Sequence, residues 1–215
     1  MREAAALPLV AITAHEAMTR GGVPPAHHVL IHGGTGGVGH VAVQLAAALG
    51  AKVFSAESRA IAMRMGATDA IDYRAETVEA YVKRLTRDEG FDVVFDTIGG
   101  QHLIESFQAA RNGGQVVSTM ALTQLDLRLM HLKGLSLHII FMLLPLLTGR
   151  GRERHGAILR EIAALVDAGK LRPLIDETRF TLTTAADAYR YLISGEARGK
   201  IVIDITETAQ TASIR

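Results

Sequence analysis

The chain has 215 residues, 48% hydrophobic and 21% charged, with a net charge of +1; that suffices for one large domain, or one domain and part of another. The near-neutral balance argues against nucleic acid or an anionic membrane as partner. The lack of cysteine removes disulfides and thiolate metal sites and suits a reducing, cytoplasmic setting.

Residues 4–19 carry Ala4, Leu7, Val10, Ile12 and Met18 at helical spacing, until Gly21, Gly22, Pro24 and Pro25 break the pattern. Glu3, His15 and Glu16 interrupt this segment, so it does not read as a signal peptide. Residues 28–33 predict a strand, 39–50 a helix stopped by Gly50, and 52–55 a second strand. Helices at 57–65, 76–85 and 101–110 then alternate with strands at 69–73, 91–98, 114–120 and 135–142. The longest apolar run, LSLHIIFMLLPLL (135–147), is too short to span a bilayer and contains His138 and Pro145. It reads as a buried strand followed by a turn. The basic run 149–156 reads as a solvated loop leading into an amphipathic helix, and the tail from 206 as disordered. Apolar strands alternating with helices predict an α/β fold, a parallel sheet covered on both faces.

The segment GTGGVG (34–39) follows the first strand and opens a helix, which is the setting a G-x-G-x-x-G dinucleotide loop requires. Gly34 permits the sharp turn out of the strand, Gly36 clears space for a diphosphate, and Gly39 lets the helix pack closely on the sheet. Thr35, Gly37 and Val38 complete the loop, and the unpaired N–H groups of the first helical turn would face the phosphates. The same residues could form a tight turn with no ligand.

Together with GATDAIDYR, GFDVVFDTIGG, GGQVVSTM and FTLTTAADAYRYLISGEARGKIVIDI, this loop resembles the cofactor domain of the medium-chain dehydrogenase/reductase superfamily, in the branch of zeta-crystallin-like quinone oxidoreductases. The resemblance implies a Rossmann doubly wound sheet of order 3-2-1-4-5-6, NADPH as cofactor (NAD not excluded), and reduction of a quinone or α,β-unsaturated carbonyl. It divides the chain into a linker helix (1–22), a dinucleotide-binding domain (23–170), a remnant of a GroES-like catalytic domain (171–205) and the tail. Family members carry that catalytic domain ahead of the point where this chain starts. The resemblance therefore implies a truncated or separately encoded cofactor half, whose last segments lack their strand partners and whose proton donors lie elsewhere. No catalytic residue is assigned. A homodimer through the 135–142 edge strand is implied as well, since an unpaired apolar strand is an aggregation hazard.

For the ribose end, Arg59 and Tyr73 are the candidate 2′-phosphate contacts, the tyrosine by its place in the family's NYR motif, here DYR. Glu57 could instead favour the free hydroxyl of NAD, or simply sit in the first turn of a helix. Ligands lie across the carboxyl ends of such strands at the switch point. The resemblance accordingly places Thr97, Gly99, Ser118, Thr119, Met120, Phe141 and Met142 around the nicotinamide half, with Thr13 near its carboxamide. Thr97 and Ser118 could equally satisfy turn hydrogen bonds, and Phe141 and Met142 could be core. Asp96 reads as a turn cap rather than an acid–base group. No metal is expected: Leu9 stands where zinc-dependent relatives have a cysteine ligand, and the nine histidines are scattered. Two other functions fit the same residues: a cofactor-binding module without turnover, and an enoyl reductase-like domain of a larger synthase.

Overall fold

The computed structural model describes residues 1–56 and 58–205; Glu57 and the tail expected to be disordered lie outside the described residues. Two helices open the chain, α1 (Arg2–Ala6) and α2 (Pro8–Arg20), the second started by a proline whose missing N–H costs nothing in the first turn. Then come β1 (His28–His32), α3 (Gly39–Ala48), β2 (Lys52–Ala56), α4 (Arg59–Arg64) and β3 (Asp69–Ile71). The second half continues with α5 (Val78–Thr86), β4 (Phe91–Asp96), α6 (Gln101–Ala109) and β5 (Ala110–Ser118). It ends the main sheet with α7 (Arg128–Lys133), β6 (Ser136–Ile139), α8 (Leu144–Thr148) and α9 (Arg152–Asp167). Three short elements follow: β7 (Phe180–Thr181), α10 (Ala185–Ile193) and β8 (Ile203–Asp204).

The main sheet has six parallel strands in the order β3-β2-β1-β4-β5-β6, the doubly wound arrangement expected from the sequence. Strand periodicity divides the core in two. Val29, Ile31, Val93 and Phe95 face α2, α3 and α9, meeting Val10, Val41, Leu45 and Ile158. Leu30, Phe54, Val94 and Val116 face the other way, onto Tyr81, Leu103 and Phe107. Central strands buried on both sides explain why they read as unbroken apolar runs. Among the described residues no helix is long and apolar enough to cross a membrane.

Several boundaries differ from expectation. Strand β4 stops at Asp96 because that carboxylate accepts the Ile98 and Gly99 N–H groups and turns the chain out of the sheet. Strand β5 begins earlier, at Ala110, through an irregularity in its register with Phe91 and Val93. The segment 135–142 is not a buried strand: β6 is shorter, lies on the sheet edge, and leaves Ile139 and Phe141 exposed. The turn expected after it is the short helix α8, which points Leu144, Leu146 and Leu147 outward. The C-terminal segments are not without strand partners: β7 and β8 pair with each other in parallel, and Ile175 bridges Lys200.

Helix α3 lies so close to β1 that a Cβ on Gly39 would stand 2.0 Å from the Gly33 carbonyl oxygen. Gly156, on α9, is different: its Cβ would meet nothing closer than Arg160 Nη1 at 3.6 Å. Gly39→Ala is expected to destabilise the fold by about 1–3 kcal/mol, whereas Gly156→Ala stabilises it by about 0.5–1 kcal/mol. Urea unfolding of both variants checks this; a Gly39→Ala midpoint equal to the unaltered chain would contradict the close packing.

Candidate functional site

The loop between β1 and α3 folds on the Gly33 carbonyl, which accepts the Gly36 N–H at 2.9 Å. Gly33 has φ +71° and its Cβ would collide with Thr97 Oγ1 at 2.5 Å, while a Cβ on Gly34 would meet Ser55 Oγ at 2.0 Å. These two positions are closed by the protein itself. Gly36 is less enclosed: a Cβ there would meet only the Gly33 oxygen, at a tight 3.2 Å. Helix α3 follows the N-cap Val38 without a side-chain cap, and in its first turn the His40 and Val41 N–H groups donate to the Gly36 and Val38 carbonyls, each at 3.2 Å. His40 Nδ1–H donates to the Gly36 carbonyl at 2.9 Å and steadies the loop from below. Burial pulls the His40 pKa down, the Gly36 contact opposes this, and the charge of Lys200 adds to the depression.

From Thr35 a cleft of about 720 Å³ runs to the start of α4 and the end of β3. It brings together Arg59 and Tyr73, as expected, and adds Ser58, Arg74 and Arg198, which the sequence analysis did not assign. Arg59 is tied to Asp69 at 2.6 Å, and Arg84 to Asp69 and Glu76 at 3.1 and 2.7 Å. Arg74 lies over the Tyr73 ring, 5.6 Å from its centroid. The Arg198 backbone is held by Asp176, whose Oδ2 accepts its N–H at 2.8 Å, and its guanidinium has no ion pair among the described residues. Arg74 stood in the quoted DYR motif; Arg198 is far away in sequence, and only tertiary folding brings it here.

At the other end of the loop, Asp96 is fully buried and organises the switch point. Its carboxylate accepts the Ile98 and Gly99 N–H groups and the Ser118 hydroxyl, the last at 2.9 Å, and Ser118 Oγ in turn accepts the Met120 N–H at 3.1 Å. Thr119 N–H donates to the Asp96 carbonyl. Thr97 Oγ1 donates to the His32 carbonyl and Thr13 Oγ1 to the Leu9 carbonyl, each at 2.8 Å. These hydroxyls therefore shape the rim through backbone contacts. Gly99 sits against Met120, whose backbone oxygen a Cβ would meet at 2.6 Å. Beyond β6 the two candidates part: Met142 is buried in the apolar cluster beneath α2, and Phe141 is exposed.

The fold is a Rossmann-like α/β domain of the dehydrogenase type. A family profile described as zinc-binding dehydrogenase matches residues 65–203, and the chain belongs to that family, within the medium-chain dehydrogenases and reductases. It is 32% identical to the mitochondrial NAD(P)H oxidoreductase RTN4IP1 of Danio rerio, over 95% of this chain and 57% of that protein. It superposes with a TM-score of 0.91 and 39% identity on an alcohol dehydrogenase superfamily protein of Novosphingobium aromaticivorans, covering 96% of this chain and 64% of the other. Escherichia coli quinone oxidoreductase complexed with NADPH superposes with a TM-score of 0.82 and 25% identity, over 92% and 63% of the two chains. The chain thus spans less than two thirds of each. The zinc in the family's description does not fit the donors here: there is no cysteine, and no cluster of three or more His, Asp or Glu suited to a metal exists among the described residues.

His32, at the end of β1, is enclosed by this site. Burial lowers its pKa from 6.5 to about 4, against the attraction of Asp96 and with the repulsion of His102. The folded chain holds the imidazole neutral where the unfolded chain would bind a proton, so stability falls as pH drops from 6.5 towards 4. Denaturant titrations across that window should show a shallower loss in His32→Gln, with His40 supplying the residual slope; an unchanged slope would contradict a buried neutral His32.

Proposed function

We propose that the chain binds NADPH and supports hydride transfer to a quinone or another α,β-unsaturated carbonyl. The observation that carries this reading is the glycine loop, which is closed by the protein at Gly33, Gly34 and Gly39 and least enclosed at Gly36. Such a cradle fits a diphosphate approaching bare amides, which the helix dipole favours. The cleft beside it presents Tyr73, Arg59, Arg74 and Arg198, a set suited to a ribose 2′-phosphate. The relative's NAD(P)H oxidoreductase name and the NADPH complex of the E. coli protein support the same cofactor class.

When bound, the nicotinamide supplies the hydride chemistry. This chain's residues hold, orient and shield. Gly34 to Gly39 seat the diphosphate, and the turn at Thr97 to Gly99 with Ser118 to Met120, fixed by Asp96, walls the nicotinamide end. The Thr97 and Ser118 hydroxyls there are engaged with the His32 carbonyl and the Asp96 carboxylate, and no acid–base residue is assigned. That favours one alternative, a cofactor-binding module whose turnover needs residues outside this chain; an enoyl reductase-like domain of a larger synthase is a variant of the same chemistry. The apolar rim of β6 and α8, with Ile139, Phe141 and Leu147 exposed, fits pairing with a second copy.

Titration with NADPH and NADH, beside an NADPH-oxidation assay with a quinone acceptor, tests the reading. NADPH binding is expected, and binding without oxidation identifies the module. Gly36→Val should lose at least about tenfold in affinity while the chain still unfolds cooperatively, because the branched side chain fills the diphosphate's place. Arg198→Ala should weaken NADPH about tenfold and leave NADH nearly unaffected. Failure of the unaltered chain to bind either nucleotide would overturn the proposal.

A further inference from the structure

Two arginines of the cleft converge on one carboxylate. Asp69 stands at the head of β3, next to the cleft residues Ala70 to Arg74. Arg59 Nη1 donates to its Oδ1 at 2.6 Å and Arg84 Nη1 to its Oδ2 at 3.1 Å. Glu76 holds Arg84 with two further bonds, Nε to Oε2 at 2.8 Å and Nη2 to Oε1 at 2.7 Å, a fork that matches the guanidinium to that acid. The charge of Asp69 therefore falls to Arg59. Burial raises the Asp69 pKa, but the Ala70 N–H and the two guanidiniums outweigh it and hold the carboxyl below its usual range. The two partners differ in freedom. The Asp69 side chain is 25% exposed and accepts a third bond, from the Ala70 N–H at 2.9 Å. The Arg59 side chain is 68% exposed and makes no other ion pair among the described residues. An exposed pair of this kind is weak enough to exchange. An anion entering this end of the cleft must therefore draw Arg59 away from a carboxylate that stays in place and repels it.

We propose that Asp69 is a specificity-determining residue acting through Arg59: by holding that guanidinium it withholds one cation from a ribose 2′-phosphate and narrows the preference of the site for NADPH over NADH. The inference rests on the dinucleotide reading of the cleft. It sorts the arginines there into two kinds. Arg198, without an ion pair among the described residues, meets the phosphate unopposed, whereas Arg59 is held in reserve.

Titration of the unaltered chain, Asp69→Asn, Arg59→Ala and the double variant with NADPH and with NADH tests it. Asparagine keeps an oxygen for the Ala70 N–H and removes only the charge. Asp69→Asn should tighten NADPH about three- to tenfold and leave NADH within about twofold, with the gain shrinking at high salt. Arg59→Ala alone should cost NADPH less than about twofold. In the Asp69→Asn background it should remove the whole gain, a coupling that a merely structural role of Asp69 would not produce. Asp69→Thr, suited to an edge strand, should give the same shift and keeps the test standing if asparagine is poorly tolerated. Asp126→Asn, which takes a carboxylate from the exposed pair with Arg128, should change neither affinity. An unchanged NADPH to NADH ratio in Asp69→Asn, an equal gain for both nucleotides, a gain that survives Arg59→Ala, or a tenfold loss in Arg59→Ala alone would overturn the role of Asp69 and leave the loop assignment standing. If the unaltered chain binds neither nucleotide, the reading of the cleft falls first and the inference with it.

Discussion

The contact on which the rest depends is the approach of α3 to the end of β1. The Gly33 carbonyl is the pivot: it accepts the Gly36 N–H, and Gly39 lies so near that a single methyl group would strike it. This approach points the first turn of α3 at the carboxyl edge of the sheet with no side-chain cap. A helix start left open at a switch point has unsatisfied donors and a partial positive charge in the same place. The loop is therefore closely packed where it touches the sheet, while on its other side Gly199 and Lys200 lie against Thr35 and Gly37.

Around that loop the protein spends its buried polar groups on shape. Asp96 receives two backbone amides and the Ser118 hydroxyl, Thr97 ties its turn to the His32 carbonyl, and His40 holds the loop by Gly36. Buried polar groups are tolerated when each finds a partner, and here most partners belong to the backbone of the site's own walls. Charge is distributed differently. Arg59 and Arg84 are neutralised by Asp69 and Glu76, whereas Arg198 and Lys200, both from the C-terminal segment, carry no such pairing among the described residues.

The fold was legible in the sequence wherever local rules and burial agreed. Strands β1, β2 and β4 are apolar on both faces and bounded by glycine or a turn-forming acid, and Gly34, Gly36 and Gly39 stand at spacings that a strand-to-helix crossing dictates. The errors fell where an apolar pattern had no packing to match it. The run 135–147 looks like core, yet β6 has a neighbour on one side only and α8 turns its leucines to the surface. The short strands β7 and β8 were read as partnerless because their mutual pairing spans residues 180 to 204 and leaves no local mark. Arg198 and Lys200 escaped for the same reason. Nothing in GEARGK says that it will lie across a loop more than a hundred and fifty positions earlier; the Gly199 to Thr35 hydrogen bond says so. Thr97 and Ser118 had two readings, and the geometry gives each hydroxyl a definite hydrogen-bond partner.

The most direct measurement is a crystal structure of this chain grown with NADPH. The account predicts the diphosphate within hydrogen-bond reach of the amides from Gly37 to Gly39, the adenosine end beside Tyr73, and an undistorted Gly33 turn. A nucleotide seated elsewhere on the molecule, or a loop that must peel off the sheet to admit it, would contradict the account at its root.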